Sequence, residues 1–464
     1  MSERRLLLVN PIQWLEGRRQ RGWNGHRFVP PLNLAYVAAL TPDNWTIRLV
    51  DENAGHDATQ IAGFAPDLVG ISSYTATTPR AYQLAGHFRE QGVPVVIGGS
   101  HASALPHEVA RYANVAFVGQ AEGAWPQLVD DFEHGRLRHI YDGGTPPLDR
   151  LPLPRRDLYP HRYRFATVLT SKGCPYRCEF CSVWKMYRQH YYMRPVNQVL
   201  DELAQIEAGY IFFVDDNLTV NSRRTIELCR GMVEQGLDKH FAIQASLEVG
   251  QDEELLGWLR RAGCFLVFVG IESVDECTLQ HIRKASNLKV GVSHYQEMIA
   301  RIQAHGMAVS AGIIFGNDND TLETFRELET FVAKSGIDSP VYTILTPLPG
   351  TDLWARLEAE GRLRMDGLPE SYTYCDAHHV TFEPLRVTAD ELLAANREVA
   401  RRATTALALV RGTWQTWRRT GSLLAALASF QNNRWVCINA HSSMQARING
   451  RGRAGHAPDW GQME

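Results

Sequence analysis

The residues with the clearest chemistry are Cys174, Cys178 and Cys181, in the run Thr170-Ser171-Lys172-Gly173-Cys174-Pro175-Tyr176-Arg177-Cys178-Glu179-Phe180-Cys181. Their spacing is Cys-x3-Cys-x2-Cys, and they take three of the eight cysteines in the chain. A strand-like run, Ala166–Ser171, leads into them, so they fall on a loop at its carboxyl end. Three thiolates this close suit a metal centre, and soft ligands select zinc or iron–sulfur. Zinc needs a fourth ligand, for which His190 is a candidate. However, zinc cysteines usually come as Cys-x2-4-Cys with the second pair further along. Three buried structural cysteines fit poorly with Pro175, Arg177 and Glu179 in the same loop. The spacing therefore favours an iron–sulfur site, with zinc as the alternative. A four-iron cubane held by three cysteines leaves one iron open to an outside ligand.

The elements that must hold this loop are legible around it. Residues 164–364 carry six strand-like runs: Ala166–Ser171, Tyr210–Asp215, Phe241–Ser246, Phe265–Glu272, Val309–Phe315 and Pro340–Leu345. Helical patterns such as Val196–Glu207, Asp252–Arg261, Val290–His305 and Thr321–Lys334 separate them. Six successive βα units predict a parallel layer, either an open partial barrel or a doubly wound sheet. In both, ligands collect at the carboxyl ends of the strands. Residues 1–142 predict a second α/β unit, with strands at Arg5–Val9, Thr46–Val50, Asp67–Ser72, Pro94–Ile97 and Val115–Val118. Helices such as Pro79–Gln91 and Glu122–His134 alternate with them, the pattern of a doubly wound, flavodoxin-like sheet. Residues 143–163 carry five prolines and read as a linker. Residues 365–464 form a C-terminal extension: loop to 388, a long helix from Ala389 to about Phe430, then a Gly/Arg/Asn/Ser-rich tail.

Composition bounds the function classes. With 44% hydrophobic and 21% charged residues in 464, the chain is neither disordered nor a disulfide scaffold. A net charge of −3 argues against a dedicated nucleic-acid binder. The apolar run Leu6–Val9 stops at Asn10-Pro11, too short for a signal-peptide core. No uninterrupted apolar stretch reaches 18 residues, so a cytoplasmic protein with reduced thiols is expected. The small net charge is a cancellation: residues 1–399 carry −10, residues 400–453 carry +9 and residues 454–464 carry −2.

The cysteine run resembles the signature of the radical S-adenosylmethionine (SAM) superfamily, Cys-x3-Cys-x-aromatic-Cys, with Cys174, Cys178, Phe180 and Cys181 in the matching places. The resemblance implies a partial (β/α)6 TIM-like barrel and a 4Fe-4S cluster whose open iron chelates SAM. Reduction then yields a 5′-deoxyadenosyl radical that abstracts a substrate hydrogen. The same resemblance places Asp215 by the SAM amino group, Glu272 and Ser273 by its ribose, and Arg283 by its carboxylate. Each also has a plain reading as a helix cap or a solvated charge.

The N-terminal half resembles the cobalamin-binding domain fused to many radical SAM proteins. Gly98-Gly99-Ser100-His101-Ala102 and Gly119-Gln120-Ala121-Glu122-Gly123 carry that resemblance, followed by the Pro-rich linker and the cysteine loop. Candidate cofactor-binding residues there are Ser72, Ser73, Gly98, Gly99, Gly119 and Glu122, all at strand ends, where glycine allows close backbone approach to a ligand. No Gly-x-Gly-x-x-Gly follows the first strand, which argues against a dinucleotide. The Asp-x-His-x-x-Gly of many cobalamin domains is also absent, and His56 and His101 stand in another pattern. The lower cobalt face is therefore not expected to be histidine-ligated.

Together the two resemblances imply a cobalamin-dependent radical SAM C-methyltransferase. Reduced cobalt takes a methyl group from one SAM, a second SAM supplies the radical, and the substrate radical takes the methyl group. The alternative is an anaerobic oxidative cyclase-type enzyme without net methyl transfer. A methylthiotransferase is disfavoured, because residues 1–173 contain no cysteine for a second cluster. A non-enzymatic cobalamin sensor would need no open-iron cluster. The implied partners are a small-molecule substrate (a lipid, a tetrapyrrole or a natural-product precursor) and an external electron donor such as flavodoxin or ferredoxin. No nucleic-acid partner is expected, and no catalytic side chain is identified.

Residues 400–453 contain nine arginines and no Asp, Glu or Lys. Leu407, Val410, Trp414, Trp417, Leu424 and Ala428 recur at helical spacing. Such a stripe usually packs on the protein body. A basic face with tryptophan can instead lie on a membrane, so residues 400–435 are a candidate peripheral membrane contact.

Overall fold

The structure is a computed structural model and describes residues 4–15, 18–19, 28–403 and 405–434. The arginines of the C-terminal tail at 447, 451 and 453 lie outside the described residues. The apolar run near the N-terminus forms strand β1 (Arg4–Asn10), whose Leu6, Leu7, Leu8 and Val9 are all fully buried. Continuous burial requires cover on both faces. Leu7 and Val9 pack with helix α2 (Thr78–Glu90), while Leu6 and Leu8 pack with α1 (Leu32–Ala39) and α3 (Ala121–Glu133).

The other strands of this sheet are β2 (Trp45–Asp51), β3 (Leu68–Ser72), β4 (Val95–Gly98), β5 (Val115–Val118) and β6 (Ile140–Asp142). Their order is β2-β1-β3-β4-β5-β6, and all pairs are parallel. The order reverses at β1/β3, the switch point where such sheets open a ligand crevice. The edge strand β6, three residues long, adds a sixth strand to the five expected.

The second sheet contains β7 (Ala166–Val168), β8 (Tyr210–Phe213), β9 (His240–Ala245), β10 (Cys264–Glu272), β11 (Ala308–Phe315) and β12 (Ser339–Ile344). They pair in parallel in strictly sequential order, with β7 and β12 at the two edges. A doubly wound sheet reverses its order part-way. A sequential order without closure is an open partial (β/α)6 barrel, which decides between the two alternatives. The intervening helices, among them α4 (Val196–Gln205), α5 (Ser222–Glu234), α6 (Glu253–Arg261), α7 (Tyr295–Ala304) and α8 (Leu322–Ser335), bury their apolar stripes.

After α9 (Asp352–Ala359) the chain returns to the N-terminal domain, where the Tyr372 hydroxyl donates to Glu108 at 2.8 Å. The long helix expected from Ala389 is broken into α10 (Ala389–Ala403), α11 (Ala406–Thr420) and α12 (residues 423–434). Thr405 caps α11 by accepting from Ala408 N–H, and Gly421, at φ +61°, ends it. The stripe does not pack on the barrel as such a stripe usually would: Leu407, Val410, Trp414 and Trp417 are exposed, and Leu424 and Ala428 are half-buried. Among the described residues, no helix is long and apolar enough to cross a membrane.

Candidate cofactor site between the two sheets

The cysteine loop leaves β7 and is fixed at its start by Gly173. Its φ is +91°, and a Cβ there would come within 2.2 Å of the His190 carbonyl oxygen, so only glycine fits. Gly173 N–H donates to the Asp216 carboxylate at 3.0 Å. Burial pushes that carboxyl up to about 6, against the pull of the same hydrogen bond. Further along, Trp184 Nε1–H donates to the Cys178 carbonyl at 3.0 Å, and Glu179 N–H to the Ile282 carbonyl at 3.0 Å. The buried Glu179 carboxylate receives a bidentate fork from Arg356 of α9, at 2.7 and 3.2 Å. Arg356 also reaches Asp318 at 2.6 Å, which in turn accepts from Arg362 at 2.6 Å.

Burial pushes all three thiols up, Cys181 to about 12, so a metal bound there would have to displace their protons. Among the described residues, no three His, Cys, Asp or Glu side chains converge on a point that one metal ion could occupy. The three thiols are nonetheless electrostatic neighbours of one another. His190 joins no group that could hold a metal ion among the described residues; its Nδ1 lies 2.8 Å from the Arg188 carbonyl, and its ring stacks on Tyr192.

The residues assigned to SAM fall in different places. Glu272 ends β10 at φ +61°, beside a register shift in the pairing with β11. Its carboxylate accepts from Lys284 at 2.8 Å. Asn287 braces the bend by donating to the carbonyls of Gly270 and Ile271 at 2.9 and 2.8 Å. A Cβ on Gly270 would lie 2.2 Å from Glu272 Oε1 and 2.7 Å from Lys284 Nζ, so glycine makes room for the pair. Burial works against the Lys284 cation, but Glu272 and the nearby Cys178 and Cys181 hold its pKa above the ordinary value. Arg283 is half-exposed on Asp352, so the buried cation beside the cysteines is its neighbour Lys284.

Asp215 is fully buried and accepts from the Thr170 and Ser171 hydroxyls at 2.7 and 2.5 Å and from Thr170 N–H at 3.1 Å. It braces the strand that enters the cysteine loop. Ser273 is also fully buried, and its hydroxyl accepts from Asp275 N–H in the turn that follows.

A cavity of about 550 Å³ lies between the two sheets at their carboxyl edges. Ser72, Ser73, Gly98, Gly99, Gly119 and Glu122 all line it. The facing wall includes Leu169, Lys172, Met186, Tyr187 and Val214. Two of the glycines answer to the chain itself: at φ +102°, a Cβ on Gly99 would meet Ser73 O at 2.3 Å, and at φ +73°, one on Gly119 would meet Gly144 O at 2.7 Å. Tyr36 also lines the cavity, and its hydroxyl is buried without a protein partner. Neither His56 nor His101 lines the cavity; the buried His101 ring is held 3.3 Å from Glu108 and 3.4 Å from Thr75.

Lys172 was not singled out from the sequence, although it stands two residues before Cys174. Its ammonium reaches Gln120 at 2.8 Å and Glu122 at 2.5 Å, tying the cysteine strand to the N-terminal sheet across the cavity. Both charges are largely buried. Lys172→Met leaves Glu122 unpaired and is expected to cost about 3–5 kcal/mol of stability. Urea unfolding reads that loss, and cobalamin content after reconstitution is expected to fall with it.

The radical SAM superfamily model matches residues 168–332, and the B12 binding domain model matches residues 26–129. The bacteriochlorophyllide d C-12(1)-methyltransferase of Chlorobaculum tepidum is 28% identical over 377 residues, covering 78% of this chain and 80% of that protein. The hopanoid C-2 methylase of Rhodopseudomonas palustris is 32% identical over 358 residues, covering 74% and 67%. The anaerobic magnesium-protoporphyrin IX monomethyl ester cyclase of Cereibacter sphaeroides is 30% identical over 453 residues, covering 86% and 71%. The fold matches that of the radical SAM methyltransferase TsrM from Kitasatospora setae, solved with cobalamin and a 4Fe-4S cluster, with a TM-score of 0.69 at 17% identity over 95% of this chain and 100% of that one. The chain belongs to the B12-binding radical SAM family.

Proposed function

We propose that this protein is a cobalamin-dependent radical SAM C-methyltransferase that places a methyl group on an unactivated carbon. The observation that carries this reading is the shared cavity. Its barrel wall is built from Lys172, Met186 and Tyr187, which flank the cysteine loop in sequence, and its other wall from the strand ends of the N-terminal sheet. When bound, the 4Fe-4S cluster with SAM supplies hydrogen abstraction and cobalamin supplies the methyl group. Cys174, Cys178 and Cys181 would hold the cluster. The Glu272–Lys284 pair sets the charge beside it. The glycine-rich strand ends would seat cobalamin.

The relatives point to large, mostly apolar substrates, a tetrapyrrole or a polycyclic lipid such as a hopanoid. The electron would come from a cytoplasmic flavodoxin or ferredoxin. An oxidative cyclase is the second reading, favoured by the longer alignment with the cyclase. Anaerobic reconstitution with cobalamin, reductant, methyl-labelled SAM and either a bacteriochlorophyllide or a hopanoid separates them. Methyl transfer yields labelled product with 5′-deoxyadenosine and S-adenosylhomocysteine in step. Deoxyadenosine with an oxidised, unlabelled product would replace this reading with the cyclase.

A further inference from the structure

A helix docked on a soluble body normally buries its large apolar side chains and turns its polar ones to water. The last two described helices do the reverse. They dock through small and polar groups: Thr416, Ala425 and Ser429 are fully buried. Ser429 donates to the Asp338 carbonyl at 2.8 Å, Asn432 to the Ser339 hydroxyl at 2.7 Å and Asn433 to the Asp338 carbonyl at 2.8 Å. The large apolar side chains face out. Leu407 is 78% exposed, Val410 65%, Trp414 51%, Trp417 50%, Leu423 66% and Leu427 47%. They are six of the fourteen large apolar side chains that the described residues expose, gathered in 21 residues, which makes them a patch rather than scatter.

The spacing of 407, 410, 414 and 417 places four of them in one stripe of α11, within about 80° of arc at roughly 100° per residue. Arginines accompany the stripe. Arg411 and Arg418 lie beside it, Arg419 turns to the body and donates to the Gly336 carbonyl at 2.9 Å, and residues 405–434 contain no Asp, Glu or Lys. Arg418 sits over the Trp414 ring at 4.8 Å. Tryptophan favours the boundary between lipid headgroups and acyl chains, and arginine favours anionic headgroups. We propose that α11 and α12 form a docking face that seats these side chains in the headgroup region of a bilayer bearing anionic lipid.

Charge complementarity selects this occupant. A second copy of the patch would set arginines against arginines. Residues 435–464 carry three arginines against one Asp and one Glu, so as a cover they would add like charge. An anionic surface neutralises the arginines and takes up the apolar stripe, and this holds whatever reaction the enzyme performs.

The test is co-sedimentation of the reconstituted full-length protein with phosphatidylcholine vesicles, with and without phosphatidylglycerol. The protein is expected to pellet with the anionic vesicles and to release as salt rises. Trp414→Ala with Trp417→Ala is expected to weaken vesicle binding at least about ten-fold. Arg411→Gln with Arg418→Gln is expected to weaken it about 10–30-fold on anionic vesicles alone. Both variants change exposed side chains, so iron content and melting are expected to stay at wild-type levels. No binding, or binding that neither double variant reduces, would overturn the proposal. So would a dimer that the tryptophan variant converts to monomer without any vesicle binding, or binding that emerges only when residues 435–464 are removed.

Discussion

Cys178→Ala is expected to abolish 5′-deoxyadenosine formation, a loss on the order of 10⁴-fold or more, while the protein stays folded. Three thiolates are the fewest that leave only one iron of a cubane open, so two cannot present the same site to SAM. The side chain is small and nearly buried, and its backbone is held independently through Trp184 and Cys181 N–H. The lesion therefore lies in the cluster and not the loop. Iron and sulfide content and visible absorbance are expected to collapse, while circular dichroism and cobalamin content hold. Cys264→Ala makes the contrast. Cys264 lies in the hydrophobic core of the barrel, and burial pushes its thiol well above the ordinary range. Its loss is expected to cost about 1–2 kcal/mol of packing and leave the cluster intact. Wild-type deoxyadenosine yield from Cys178→Ala would refute the assignment of this loop.

What could be read without coordinates follows from which interactions are local. Buried parallel strands are short apolar runs, so ten of the twelve were plain, and β7 was clear though shorter than its run. β6 was missed because Ile140–Asp142 is three residues at a sheet edge, with only Tyr141 fully buried. The cysteine loop is legible because its three cysteines are close together in sequence. Its supporting charges are not: Arg356 lies 177 residues from Glu179, and Lys172 50 from Glu122. No sequence period records such pairings. The stripe on α11 misleads for a different reason. Amphipathicity reports that one face is apolar but not which way the face turns. The opposite face, with Thr416 and Thr420, was free to dock because threonine hydroxyls satisfy themselves on carbonyls one turn back.

Arg356→Ala is expected to unlock the cysteine loop from the outside. Glu179 stands between Cys178 and Cys181, and the residue is 7% exposed, as is Asp318. Arg356 serves both, and Arg362 compensates only Asp318. Removing Arg356 leaves Glu179 as an uncompensated buried charge, at about 3–5 kcal/mol. That is a large share of the roughly 5–15 kcal/mol that holds a domain. The loss is expected in the urea midpoint at pH 7, with iron retention falling beside it because the loop is no longer pinned to α9. Arg356→Lys keeps the charge but not the fork, and is expected to fall between the two. The pH dependence carries a definite sign. Burial pushes the Asp318 carboxyl up, but Arg362 and Arg356 bring it below its ordinary value. Its stabilisation is therefore complete above the unfolded carboxylate range, near about 4, and is lost as pH falls through the lower native value. The gap between wild type and Arg356→Ala is thus expected to be full at neutral pH and to narrow in acid. Arg402, on the exposed pairs with Glu398 and Glu329, is the control whose alanine variant is expected to change neither stability nor iron content. An Arg356→Ala protein with wild-type midpoint and iron content would show that Glu179 does not position the loop.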